Sequence, residues 1–107
     1  MSPTERTLER LRLWGFSACV VEKFIMQANI RKDAFGFGDI LACKDAGEHK
    51  GVWLIQASTG SNHAARKKKA QGIAELGLWL RSGGRFAVVT WAVSRGQWVC
   101  RWEELKA

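Results

Sequence analysis

At 107 residues the chain has the length of about one domain. An apolar content of 47%, with six Trp, five Phe and a single Pro, excludes a disordered composition and supports a core of ordinary size. The formal net charge of +7, from 17 Lys and Arg against 10 Asp and Glu, favours a polyanionic partner or an acidic surface over a neutral one.

Residues 4–14 read as a helix, with Leu8, Leu11 and Trp14 at three-residue steps and Gly15 as the stop. This opening segment lacks the apolar core of a signal peptide. No apolar run approaches the roughly 18 residues of a membrane span, so a cytoplasmic protein without membrane contact is expected. Residues 16–25 alternate and are rich in β-formers, which predicts a strand with Ala18, Val20, Glu22 and Phe24 on one face. Residues 29–38 are polar and contain a glycine-rich turn. Residues 39–43 form a second strand, 44–50 a turn, and 52–59 a third strand that is apolar until Gln56. Ser61 or Asn62 caps a helix over residues 63–81, whose inner stripe is Ala70, Ile73, Leu76, Gly77 and Leu80. Residues 85–93 and 97–102 close the chain as a hairpin turning at Arg95-Gly96.

The predicted order is therefore α-β-β-β-α-β-β, in a single domain over residues 1–107. This implies an α+β fold with a mixed sheet flanked by helices, because the strand–helix–strand passage allows a parallel crossover beside an antiparallel meander. Cys19, Cys43 and Cys100 are odd in number and contain no CxxC pair. They are expected to be reduced and mostly buried, not zinc ligands or disulfide partners.

Glu22, Asp39 and Gln56 stand on predicted strands at positions where apolar residues are the norm. A carboxylate on a half-buried face costs several kcal/mol unless it is paired or binds a cation. Singly, Glu22 and Asp39 are ordinary strand-edge residues in salt bridges. Jointly, on successive strands, three oxygen donors suit a hard cation such as Mg2+, which polarises a phosphodiester and lowers the pKa of an attacking water. The helix start His63-Ala64-Ala65-Arg66-Lys67-Lys68-Lys69 adds a basic cluster that opposes the helix dipole. Arg66 and Lys69 continue the inner stripe, whereas Lys67 and Lys68 point outward as a solvated run.

The stretches Val21-Glu22-Lys23-Phe24, residues 31–42 from Arg31 to Ala42, and residues 52–59 from Val52 to Thr59 resemble small nucleases of the PD-(D/E)XK superfamily, the group of the Holliday-junction resolvases. The resemblance spans residues 4 to about 102. It implies a metal-binding Glu, matched by Glu22, and an Asp on the next strand, matched by Asp39. It also implies Glu-X-Lys on the third strand, where this chain has Gln56-Ala57-Ser58. Gln56 still offers a neutral carbonyl oxygen, and the carbonyl of Ala57 is a possible further ligand. Ser58 cannot replace a lysine. Members of the superfamily move that lysine to a neighbouring helix, which makes Lys69 the first candidate and Arg66, suited to gripping phosphate, the second. Asp33 is a secondary acid, ranked below Asp39, that either supports Arg31 or lies near the metal.

The resulting expectation is an endonuclease dependent on Mg2+, with Mn2+ able to substitute, acting on DNA of branched or otherwise structured form. Arg31, Arg66, Lys67 and Lys68 bind the backbone in this reading, and a homodimer would present two sites. The alternative from another class is a module of the same fold that binds nucleic acid without cutting it, favoured by the Gln-Ala-Ser replacement. A basic adaptor for an acidic protein is third. A Ser58–His63–Asp39 hydrolase triad lacks a Gly-x-Ser-x-Gly turn, and His63 is either a phosphate contact or an ordinary polar helix residue.

Overall fold

The computed structural model describes all of residues 1–107. Helix α1 (Pro3–Leu13) starts at Ser2, whose hydroxyl accepts the Glu5 N–H at 3.1 Å, and Pro3 takes a first-turn position that has no need of an N–H. The chain then builds β1 (Ser17–Val20), β2 (Lys23–Ile25), β3 (Ile30–Lys32), β4 (Ile40–Lys44) and β5 (Gly51–Thr59). Helices α2 (His63–Gln71) and α3 (Ala74–Arg81) lead to β6 (Arg85–Ser94) and β7 (Gln97–Leu105). The main sheet has the order β1-β4-β5-β6-β7. Only the β5–β6 pair is parallel, and α2 and α3 make the crossover between its strands. The α+β class and mixed sheet expected from the pattern are those observed.

Alternation along β5 and β6 sends side chains to two separate cores. Leu11, Phe16, Ile40, Ala42, Trp53, Ile55, Ala57, Ala87 and Val89 pack on the α1 side of the sheet. Phe37, Leu54, Ala70, Leu76, Phe86, Val88 and Leu105 pack on the side of α2 and α3. At Gly38 a Cβ would meet the Leu54 side chain at 2.9 Å, so only glycine lets the chain enter β4 this close to the core.

The structure differs from the sequence expectation in four places. The strand expected over residues 16–25 stops at Val20, and Glu22 lies in the break before β2. Residues 23–32 instead form a separate antiparallel hairpin, β2–β3, turned through Asn29 at φ 51°. Val20 and Phe24 are 47% and 52% exposed, so the face they were expected to share with Glu22 is not half-buried. The helix expected over residues 63–81 breaks at Gly72-Ile73, where Ile73 is extended (φ −99°, ψ 120°). Gly72 is a poor helix former, and the break still leaves Ile73 packed beside buried Ala70 and Leu76. Asn62 precedes α2 without capping it, bonding Thr59 Oγ1 and Ser58 Oγ instead. Finally, Cys19 and Cys43 are exposed and Cys100 is half-buried, because β1 is an edge strand and β4 is only partly covered.

Candidate metal centre

Asp39 sits just ahead of β4 and is locked into the sheet on both sides. Its N–H donates to the Ile55 carbonyl and its carbonyl accepts the Val21 N–H, each at 3.0 Å. The side chain is 4% exposed and accepts the Ala57 N–H at 3.2 Å and the Gln56 Nε2–H at 3.2 Å. Burial, followed by the nearby Asp33 and Glu22 charges, pushes its carboxyl up from 3.8 to about 7, and the Ala57 N–H only partly offsets this.

Carboxylate oxygens of Glu22, Asp33 and Asp39 lie within 4.8 Å of one another. Each arrives from a different local feature: Glu22 from the break between β1 and β2, Asp33 from the residue after β3, and Asp39 from the residue before β4. Three hard oxygen donors this close together could hold a metal ion. They also repel one another, and a bound cation removes that repulsion.

The acids open into a cleft of about 620 Å³ that is also lined by Arg31, Gln56, Ala57, Arg66 and Lys69 and by Ser2, Thr4 and Glu5 at the start of α1. Arg31 Nη1 stands 3.8 Å from Glu22 Oε2 with its side chain 73% exposed. Arg66 is half-buried and Lys69 exposed, and neither forms an ion pair within the chain. Cleft walls therefore carry both signs: an acidic floor and a cationic rim.

Of the residues singled out in the sequence, Glu22, Asp39, Gln56, Ala57, Lys69, Arg66, Arg31 and Asp33 all line this cleft. Gln56 turns its amide nitrogen to Asp39, and Ala57 presents its N–H to the same carboxylate. Asp33, given a secondary place in the sequence, is one of the three clustered acids. The other candidates lie elsewhere. Ser58 is buried and accepts from Asn62 Nδ2 at 3.5 Å. His63 is 3% exposed, with Nδ1 2.7 Å from Thr90 Oγ1 and Nε2 2.9 Å from Glu103 Oε1. Lys67 does not point freely outward: it donates to Glu103 Oε2 at 2.7 Å. Lys68 is exposed and outside the cleft lining. Sequence reasoning missed the α1 N-terminal residues and the anchor Glu103. The signal for Asp33 was Asn29, a residue that tolerates left-handed backbone and so marks a hairpin turn that brings residues 22 and 33 together.

Comparison of the chain with protein-family models, with curated proteins and with solved structures finds no match.

Proposed function

We propose that this chain is a metal-dependent nuclease that hydrolyses phosphodiester bonds of DNA, with branched or otherwise structured DNA as substrate, akin to the PD-(D/E)XK enzymes its sequence resembles. One observation carries the reading: three clustered carboxylates and three cationic side chains face the same cleft. An acidic cluster alone has many explanations, and a basic rim alone has many more. Their combination suits a phosphate diester, which needs its charge matched and its bond polarised in the same place.

In this proposal Glu22, Asp33 and Asp39 hold Mg2+, or Mn2+ in its place, and Gln56 and Ala57 orient Asp39. When bound, the cation supplies Lewis acidity and an activated water. Arg66 grips the phosphate and fixes its register, because a guanidinium matches two phosphate oxygens at once. Lys69 orients the water or offsets charge developing on the phosphate. Arg31, poised at the cleft mouth, binds the adjoining backbone. These contacts go to backbone, so little sequence preference is expected. The setting is cytoplasmic in this reading, and a homodimer would bring two clefts to the two strands of a duplex.

A second reading is favoured by the Gln56–Asp39 hydrogen bond, which satisfies the buried acid from within the protein. Under it the fold binds nucleic acid without cutting. Cleavage of plasmid, single-stranded and four-way-junction DNA in Mg2+ or Mn2+, set against EDTA and against Asp39→Ala, separates the two. Cutting that needs metal and vanishes in the variant supports the nuclease. Binding without cutting in either metal supports the second reading, and cutting by Asp39→Ala at the wild-type rate would remove Asp39 from the site.

A further inference from the structure

The β2–β3 hairpin forms no part of the five-stranded sheet, and its strands pair only with each other. It is nonetheless rooted in the acidic cluster, since Glu22 immediately precedes β2 and Asp33 immediately follows β3. In its register Lys23 faces Lys32, Phe24 faces Arg31 and Ile25 faces Ile30. Residues directly opposite in an antiparallel pair project to the same face, so Phe24 and Arg31 are side by side. Arg31 reaches Glu22 and lines the cleft, which places Phe24 on the cleft-facing side of the hairpin, two residue pairs beyond the acids. That distance is about 7 Å along the strand.

Phe24 is 52% exposed, and Met26 at the turn is 78% exposed. An aromatic ring left open to water beside an arginine is not explained by packing, because neither core includes it. The surrounding charge selects the occupant. Arg31 on the hairpin, together with Arg66 and Lys69 across the cleft, suits a polyanion, and a polyanion that also offers flat apolar rings is a nucleic acid with unpaired bases.

We infer that the hairpin is a base-stacking element: Phe24 receives the face of an unpaired base while Arg31 and the cleft hold the adjoining phosphates. This rests on the nucleic-acid reading above and narrows it to substrates with unpaired nucleotides beside the bound phosphate. A fully paired duplex keeps its bases stacked on each other and offers Phe24 nothing, so discrimination arises without any base-edge hydrogen bond.

The test is titration of the protein, in EDTA, into a short single strand carrying 2-aminopurine and into the matching duplex, reading affinity and quenching of the fluorescent base. Wild type is expected to prefer the single strand and to quench it. Phe24→Ala and Phe24→Leu lose the quenching and bind the single strand roughly tenfold more weakly, with duplex binding unchanged. Phe24→Trp keeps both properties. The Leu variant retains apolar surface and guards against collapse of the hairpin, and thermal melting checks that all variants fold. If wild type binds nucleic acid and the Ala and Leu variants match it in affinity and quenching, the stacking inference is overturned and the nucleic-acid reading stands. If wild type binds neither strand nor duplex at low salt, both fall together.

Discussion

Asp39 is the residue on which the site turns, and its chemistry is set by being a carboxylate placed where water hardly reaches. Its carboxyl titrates near 7 in the folded protein against an ordinary value of 3.8. Between those values the native state binds the extra proton, so stability falls as pH rises through the window and is lowest above about 7. The span corresponds to about 4 kcal/mol at most. Asp39→Asn keeps an acceptor for the Ala57 N–H and carries no charge. Urea unfolding in EDTA at pH 5 and pH 8 is therefore expected to show a decline in wild type that the variant lacks; equal declines would mean that Asp39 is not the group responsible. The same argument gives the metal's effect. Mg2+ at pH 8 relieves repulsion among Glu22, Asp33 and Asp39 and is expected to raise the wild-type Tm while leaving Asp39→Asn unmoved. A matching rise in the variant would move the cation to another place on the surface.

At the scale of elements, α2 has two distinct ends of work. Arg66 and Lys69 face the cleft, whereas His63 and Lys67 clamp the helix to β7 through Glu103, which Arg101 also approaches at 3.6 Å. Hydrogen bonds from Lys67 and then His63 hold the Glu103 carboxyl down at about 2, so the clamp is intact above the usual carboxylate range and is lost as pH falls toward that value. Glu103→Ala strands the buried His63 Nε2 and is expected to cost about 1–3 kcal/mol of stability. Chemical unfolding at neutral pH measures this, and the Mg2+-dependent rise in Tm should persist, because Glu103 is outside the cleft lining. An unchanged unfolding midpoint would show that the clamp contributes nothing. The clamp was not legible in the sequence: His63 and Glu103 are 40 residues apart, and nothing local in either marks the other. The main sheet was legible, because the short apolar runs of β4, β5 and β6 and the helical segment between β5 and β6 are local patterns that tertiary contacts reinforced. Glu22 and Asp39 stood out as acids within apolar runs. The β2–β3 hairpin did not, because residues 16–25 read as one alternating strand with Phe24 on the Glu22 face and residues 29–38 as a polar stretch, whereas the fold leaves Phe24 in water. Asp33 was underweighted for the same reason, since its proximity to Glu22 exists only once that hairpin is recognised.

Over the whole molecule the charge of +7 is less informative than its distribution. Arg85 is committed to Glu104 at 2.8 Å and Lys67 to Glu103 at 2.7 Å, so these cations support the fold. Arg66 and Lys69 remain unpaired at the cleft rim, and Arg31 is mostly solvated beside Glu22. If the cleft binds a nucleic-acid backbone, those three residues displace counterions and Lys67 does not. The logarithm of affinity then falls linearly with the logarithm of salt concentration, with a slope of about 0.9 per phosphate neutralised on duplex DNA and about 0.7 on single strands. Replacing Arg66 and Lys69 together by Ala is expected to flatten the duplex slope by about 2, while Lys67→Ala lowers the unfolding midpoint and leaves the slope near that of wild type. Fluorescence anisotropy with labelled DNA over a salt series reads the slopes directly. A flattening from Lys67→Ala equal to that from the cleft pair would mean that the bound backbone runs along the outer face of α2 and not through the cleft, and the acidic cluster would lose its claim to the phosphodiester.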